Sequence, residues 1–206
     1  MKKQEKTLET KRRIMAGALK EFGTNSYESS SINAICQDNH ISKGLMYHNF
    51  KNKDELYLAC VKASYDELLA YLQQKMAGVS QVELETFISY RQQFFEANPN
   101  YANIFFAALL QPPVHLAVMI KELRKPFDDY CMTYFRSCLR SLPLKKDLNE
   151  DIVLDYLVIF QEAFNRYFYQ HLSDDKDHKQ VIMDHETYLL KIVDIMLYGI
   201  VEKGSD

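Results

Sequence analysis

The chain has 206 residues and a net charge of −3, with 47% apolar and 26% charged residues, a composition that is ordinary for a folded globular protein. A chain of this length can bury a core without disulfides or metal, and its four cysteines show no metal-binding spacing, so we expect reduced thiols, no cofactor and no metal. We see neither a secretory signal nor a run of about 20 apolar residues, which predicts a cytoplasmic protein without a membrane partner.

Apolar residues recur at a period near 3.6 along most of the chain, which predicts an all-α fold. Turn-forming residues and helix caps divide it into about nine helices, at roughly 5–24, 31–38, 42–48, 53–76, 81–98, 100–110, 114–140, 148–171 and 183–203. Pro126 falls inside the seventh helix and is expected to kink or split it, because its ring clashes with the preceding turn.

Charge is distributed unevenly along the chain. Residues 1–62 carry 11 Lys or Arg against 7 Asp or Glu, and residues 63–206 carry 14 against 21. A basic N-terminal part on an acidic remainder is the distribution that a protein needs to present one face to phosphates.

The third predicted helix is too short to be stable without tertiary packing. Ile41, Leu45 and Met46 are expected to pack inward, with Phe50 closing the end. The opposite face then exposes hydrogen-bond donors, a residue without a side chain and an aromatic ring with a polar tip, namely Lys43, Gly44, Tyr47 and His48. Such a face suits a nucleic-acid backbone and groove better than catalysis.

Side-chain caps are predicted at the start of three helices. Ser30 or Ser31 can cap the second helix and Ser42 the third. Asn52 with Glu55 resembles a capping box at the start of the fourth.

Two segments, ALKEFGTNSYESSSINAI (18–35) and ISKGLMYHNFKNKDEL (41–56), resemble the DNA-binding domain of the tetracycline-repressor (TetR/AcrR) family. The resemblance implies an N-terminal three-helix helix-turn-helix domain at 1–52 and a larger helical effector-binding and dimerisation domain at 53–206. The chain departs from the family at the turn, where Asn39-His40 replaces the usual Ala-Gly. If that turn needs a positive φ, Asn and His tolerate it better than most residues.

The resemblance also implies roles at the DNA. Base reading would come from the third helix and from the second helix nearby, through Lys43, Gly44, Asn33 and Gln37. Backbone contacts, which position the protein without reading sequence, would come from Ser30, Ser31, Ser42, Tyr47, His48 and Lys53.

The last two long helices have wider apolar coverage than a monomer requires, which predicts a homodimer. The expected interface residues are Ile152, Tyr156, Ile159, Phe160, Ala163, Tyr167, Tyr188, Ile192, Ile195 and Met196. Aromatic residues are frequent in the middle of the chain and are expected to line an effector pocket, or else to form core: Phe87, Tyr90, Phe94, Phe105, Phe106, Phe127, Tyr130, Tyr134 and Phe164.

The sequence thus predicts a ligand-responsive transcriptional regulator, expected to be a repressor, that binds palindromic operator DNA as a dimer and is released by a small, mostly apolar or aromatic effector. One alternative is a co-activator or DNA-bound scaffold that acts through a protein partner, which a filled body would favour. The other is an enzyme, but no GxSxG, P-loop or Rossmann fingerprint is present. The acidic and histidine residues at 171–185 lack the order of a calcium loop and predict a solvated loop.

Overall fold

A computed structural model describes residues 2–78, 83–140, 142–171 and 178–200, with side chains described for 7–78, 83–140, 142–171 and 180–196. Within these ranges the chain forms nine α-helices and no strand. They are α1 (Lys2–Thr24), α2 (Ile32–Asp38), α3 (Lys43–Asn49), α4 (Lys53–Met76), α5 (Leu84–Ala97), α6 (Pro99–Leu110), α7 (Ala117–Leu139), α8 (Glu150–Gln170) and α9 (His178–Ile200).

The all-α fold and the order of its helices are therefore confirmed, with differences at several boundaries. The segment Val114–Leu116 is a short 3-10 helix that precedes α7, and α9 begins at His178 rather than near residue 183. α7 runs unbroken through Pro126, so the helix is not split there and a kink is the expectation that remains. Residues 79–82 and the acidic residues of 172–177 lie outside the described ranges.

One compact unit consists of Met1–Glu67 and Asn98–Arg124. In this unit α1 packs against α2 and α6, and α2 packs against α3. A Cβ atom on Gly23 would lie only 2.8 Å from the Asn100 Cα, so the close approach of α1 and α6 requires glycine there. The Asn103 side chain donates from Nδ2 to the Gly23 carbonyl at 2.6 Å, which fixes the same approach.

The second compact unit consists of Leu68–Ala97 and Lys125–Asp206. Its α9 packs against α5 and α8, around a cluster of Phe164, Leu189, Val193 and Met196. Leu139, Val153 and Leu154 form another cluster near the start of α8. The domain boundary between residues 52 and 53 stays a prediction.

Among the described residues, no single helix has both the length and the apolar composition that crossing a membrane needs, and only the bent pair Pro99–Leu110 with Val114–Leu139 reaches them jointly.

Candidate DNA-binding surface and effector cavity

Two serine caps fix where the helices of the helix-turn-helix begin. Ser31 Oγ accepts a hydrogen bond from the Asn33 amide at 3.1 Å, and Ser42 Oγ accepts one from the Leu45 amide at 3.2 Å. Both satisfy amides that the first turn of a helix leaves unpaired. Ser31 rather than Ser30 is therefore the cap of α2, and the predicted cap of α3 is confirmed.

The start of α4 carries the predicted pairing of Asn52 and Glu55 in a shifted form. Asn52 Oδ1 accepts from the Glu55 amide at 2.8 Å, as in a capping box. The Glu55 carboxylate reaches back to the Lys51 amide at 2.7 Å, one residue before the cap. These bonds define the chain between α3 and α4, which places Lys53 in the first turn of α4.

The turn between α2 and α3 adopts the conformation that its two unusual residues permit. His40 has φ 52°, and Asn39 lies against α1 at Gly17, where a Cβ would come within 2.2 Å of Asn39 Nδ2. Asn39 Nδ2 donates to the Ile35 carbonyl at 2.9 Å, and Arg13 Nη2 donates to the Asn39 carbonyl at 2.9 Å. The turn is thus held by α2, which precedes it, and by α1.

The outer face of α3 is open over its whole length. Lys43, Gly44, Tyr47 and His48 are exposed, as the sequence predicted, and Ser42 before them is exposed as well. Met46, in contrast, is fully buried and anchors the helix.

Leu45 was expected in the core, but its side chain is 39% exposed. A seven-residue helix presents little of its surface to the core, and here Met46 occupies that face. Leu45 therefore adds an apolar group to the open face of α3, next to Gly44.

On α2, Asn33 and Gln37 are exposed one turn apart, so both amide side chains are accessible. The serines before them differ. Ser30 is buried and donates its hydroxyl to the Ser26 carbonyl at 2.7 Å. The Ser31 amide donates to the Glu21 carboxylate at 2.9 Å, so a phosphate at this amide would have to displace Glu21.

Lys53 is held above an aromatic ring. Its ammonium nitrogen lies 4.4 Å from the centroid of the Tyr27 ring and 3.5 Å from the Glu28 carbonyl oxygen. The cation–π contact restricts a long, flexible side chain. Tyr27 thus positions Lys53, a role that the sequence analysis did not assign.

Tyr27 in turn forms a hydrogen bond with Asp54, and Asp54 also contacts His115. The Tyr27 hydroxyl donates to Asp54 Oδ1, and His115 Nε2 lies 3.5 Å from the same oxygen. Burial and the bond to Asp54 raise the pKa of Tyr27 to about 12, which keeps the hydroxyl protonated as a donor. The same hydrogen bond lowers the pKa of Asp54, so the carboxylate stays charged.

The ten residues predicted for a dimer interface fall into two groups. Three of them face inward: Met196 belongs to the cluster of buried residues, and Phe160 and Ile192 pack against it. The other seven are exposed on α8 and α9: Ile152, Tyr156, Ile159, Ala163, Tyr167, Tyr188 and Ile195. The largest exposed fractions are those of Ile195 and Ile159, at 69% and 65%.

The second unit contains a cavity of about 700 Å³, within the range of about 300–1,000 Å³ usual for small-molecule sites. Its wall comes from α5, α7, α8 and α9, and from Glu83 and Leu142, which lie outside the helices. Its apolar residues are Leu84, Ile88, Phe135, Leu139, Leu142, Leu157, Phe160, Leu189, Val193 and Met196, and its polar residues are Glu83, Glu85, Arg91, Ser137, Cys138 and Gln161.

None of the nine aromatic residues predicted for an effector pocket belongs to the wall of this cavity. Most of them are buried, and Phe87, for example, stacks on Tyr134 with the ring centroids 4.7 Å apart. Tyr90 and Tyr130 are partly exposed. Their expected ligand contacts stay a prediction, while the cavity points to other residues.

Arg91 is the polar wall residue that is most deeply buried, with a side chain that is 5% exposed. Its Nη2 donates to Glu186 Oε1 at 2.9 Å. A sequence signal for it exists: Arg91 follows Phe87 and Ile88 at helical spacing and precedes Phe94 by three residues, which places a charge on the apolar face of α5.

Comparison with known proteins yields two family matches. The family described as "Bacterial regulatory proteins, tetR family" matches residues 14–60, and "Tetracyclin repressor-like, C-terminal domain" matches residues 79–204. The chain is also similar to the HTH-type transcriptional regulator UidR of Escherichia coli K12, at 25% identity over 68% of this chain and 71% of UidR.

Two solved structures share the fold. One, of FadR from Bacillus subtilis in complex with stearoyl-CoA, has a TM-score of 0.62 and 16% identity, covering 86% of this chain and 96% of FadR. The other, of a gamma-butyrolactone receptor described as ArpA-like, has a TM-score of 0.57 and 19% identity, covering 96% of this chain and 90% of the receptor. Because the C-terminal match alone spans more than half of the sequence, and the N-terminal match covers the helix-turn-helix, the chain belongs to the TetR family of bacterial transcriptional regulators.

Proposed function

We propose that this TetR-family regulator is a repressor that binds a palindromic operator as a homodimer and is released by a small effector. The observation that carries the DNA-binding part is the open face of α3, on which five polar or small residues are exposed while Met46 anchors the helix. In helix-turn-helix proteins, a short helix of this kind, with one face packed on the core and the other exposed to solvent, enters the major groove.

The proposed contacts divide by what they recognise. Lys43, Gly44, Asn33 and Gln37 would approach base edges, where amides pair with adenine and ammonium groups with guanine. Leu45 adds an apolar contact suited to a thymine methyl group.

Contacts with the phosphate backbone of the DNA would come from Ser42, Tyr47, His48 and Lys53. Ser31 would contribute only after its amide leaves Glu21, and we omit Ser30 because its hydroxyl is buried and engaged. The dimer would use the seven exposed residues of α8 and α9, which would bring two helix-turn-helix units to two half-sites.

The cavity supports a ligand-responsive regulator over a scaffold that acts only through a protein partner. A filled second unit would have favoured the scaffold, whereas about 700 Å³ of mostly apolar space can hold a small molecule. The two similar proteins are described with chemically different molecules, FadR with stearoyl-CoA and the ArpA-like protein as a receptor for a gamma-butyrolactone. The shared fold therefore does not define the ligand class.

Release requires that the effector bind one conformation more tightly than the other. α4 is the element through which we propose the coupling. It begins with the phosphate contact Lys53 in the first compact unit and ends at Met76 in the second.

Selection of bound duplexes from random DNA with the full-length protein tests the proposal. We expect a two-fold-symmetric site and an affinity that falls steeply with salt. Lys43→Ala should weaken binding, whereas Lys20→Ala, which removes an equal charge from an exposed position of α1 outside the proposed contacts, should not. Binding that is independent of salt, or equal loss from both variants, would contradict the proposal.

A further inference from the structure

The turn between α2 and α3 closes α2 with two backbone hydrogen bonds. The Ile41 amide donates to the Cys36 carbonyl at 2.9 Å, and the His40 amide donates to the Gln37 carbonyl at 3.2 Å. These two bonds define a Schellman motif, in which the residue after the C-cap is left-handed. Asn39 is the C-cap, and His40 after it has φ 52°. The turn is therefore a regular helix ending with an unusual residue at its left-handed position.

His40 is strained at this position. Glycine is the usual residue there, because a Cβ atom makes the left-handed conformation less stable. Strain of this kind persists only where the surrounding structure holds it. Only Ile41 separates His40 from Ser42, the cap of α3, so a different conformation at His40 would reorient α3 relative to α2. The position of α3 consequently depends on contacts that keep His40 left-handed.

One such contact comes from Arg13 of α1. Its Nη2 atom donates to the Asn39 carbonyl at 2.9 Å. The last carbonyls of a helix lack partners within the helix, and a cation is favourable at this end of the helix dipole. The Asn39 carbonyl and the His40 amide belong to the same peptide group, so this group is held at both ends. Because φ of His40 depends on the orientation of that group, Arg13 acts directly on the strained torsion.

We propose that Arg13 is a positioning residue for DNA recognition. It holds the peptide group between Asn39 and His40 and thereby fixes the orientation of α3, without contacting DNA itself. Arg13 thus provides by a hydrogen bond what glycine at position 40 would provide by its conformational freedom. The inference rests on the proposed function in one respect, namely that α3 reads the operator.

The charge of Arg13 allows a second explanation, which the test must separate from the first. Lys11, Arg12 and Arg13 form a basic run on α1, and such residues can contact phosphates. A lost phosphate contact weakens binding to every duplex and reduces its salt dependence. A displaced α3 instead loses base contacts, which lowers the preference for the operator over other DNA. The ratio of these two affinities is therefore the decisive measurement.

Fluorescence anisotropy with the full-length protein measures this ratio. Its two probes are the duplex selected from random DNA and a scrambled duplex of the same composition. In Arg13→Gln we expect the operator preference to fall about tenfold, the factor that corresponds to one hydrogen bond from a charged group at the lower limit of its usual range. An unchanged preference, or a loss of affinity that is equal for both duplexes, would overturn the proposal.

Arg12→Gln is the matched control, because it removes an equal charge from the adjacent, exposed residue of α1. Lys11 is less suitable, since its Nζ atom lies 5.6 Å from the centroid of the Phe50 ring at the end of α3. We expect Arg12→Gln to keep the operator preference of the wild type. A loss of preference as large as that of Arg13→Gln would show that charge alone is responsible, and the proposal would fall.

His40→Gly provides a test that distinguishes a held turn from a phosphate contact. Glycine adopts a positive φ without strain, so the turn no longer needs the guanidinium. We expect the double variant Arg13→Gln, His40→Gly to recover most of the lost operator preference, and His40→Gly alone to retain it. Circular dichroism of each variant covers the case in which Arg13→Gln folds poorly, because His40→Gly should then restore helix content and operator preference together. No recovery in the double variant would contradict a role of Arg13 in holding the turn.

The wild type separates this inference from the proposed function. A wild type that binds the selected and the scrambled duplex equally would overturn both, because α3 would not read bases. A wild type that prefers the selected duplex, together with an Arg13→Gln variant of equal preference, would overturn this inference and leave the proposed function intact.

Discussion

Asn39 occupies the space that any side chain at Gly17 would need, because a Cβ built on Gly17 would lie 2.2 Å from Asn39 Nδ2. The fit joins the turn of the helix-turn-helix to α1. Asn39 is also bonded on both sides, to the Ile35 carbonyl through Nδ2 and to Arg13 through its own carbonyl. The side chain that departs from the usual Ala-Gly turn is thus built into the packing of the DNA-binding unit.

Gly17→Ala should destabilise the protein, although alanine is the better helix former, because the added methyl group overlaps Asn39. We expect a loss of about 1–3 kcal/mol in the free energy of unfolding, measured by urea denaturation. In the double variant Gly17→Ala, Asn39→Ala the overlap is gone, and we expect it to be more stable than Gly17→Ala alone. Additive effects in this cycle would mean that the two residues do not interact.

Asp54 should make stability depend on pH on the acidic side. Its pKa is lowered, chiefly by the Tyr27 hydroxyl, so its stabilising effect is complete above the ordinary carboxyl pKa and is lost as pH falls through the lowered value. Because Asp54 is 36% exposed, we expect Asp54→Asn to cost only about 1 kcal/mol at pH 7. Urea midpoints of the two proteins should converge as the pH falls below the ordinary carboxyl pKa and through the lowered pKa of Asp54. A constant difference across that range would disprove the assignment.

The buried pair of Arg91 and Glu186 should respond asymmetrically to substitution. Arg91→Met alone leaves Glu186 buried without its cation, and we expect a loss of about 3–5 kcal/mol. Adding Glu186→Met should recover much of that stability, since paired apolar replacements of similar size are often neutral. Thermal unfolding of the three proteins measures this, and a double variant less stable than Arg91→Met would refute the expectation.

The exposed apolar residues of α8 and α9 predict a dimer that a single charge can dissociate. Ile159→Asp should shift the protein from dimer to monomer in sedimentation at micromolar concentration, because it would bury an unpaired carboxylate. Val114→Asp is the matched control, since Val114 is 94% exposed and lies outside the proposed interface. A wild type that sediments as a monomer, or a control that dissociates equally, would rule out this interface.

Local sequence signals were sufficient for the helix-turn-helix. The caps at Ser31 and Ser42 depend on residues two or three positions away, and the exposed face of α3 follows from helical periodicity once Met46 points inward. The prediction that Leu45 packs inward was wrong. Periodicity ranks the faces of a helix, but it does not say how much of a seven-residue helix the neighbouring helices cover.

The cavity could not be predicted in the same way. Periodicity indicates which residues point inward, but a void depends on how side chains from four separate helices fill the space between them. Phe87 and Tyr134 stack on each other, while Leu157 and Leu189 are left beside open space. Only Arg91, a lone charge on an apolar face, gave a local signal of a polar group at this site.

Two neighbouring residues of α8 lie on the two proposed binding surfaces, the effector cavity and the dimer interface. Phe160 lines the cavity, and Ile159 is exposed on the face assigned to the partner subunit, so the wall between an effector and a second copy of the chain is one helix thick. If the effector favours one position of α8, it would alter the binding energy of the partner on the other side, and such coupling is reciprocal. The effector affinity of this regulator would then depend on protein concentration, and titrations at nanomolar and micromolar protein should give different midpoints.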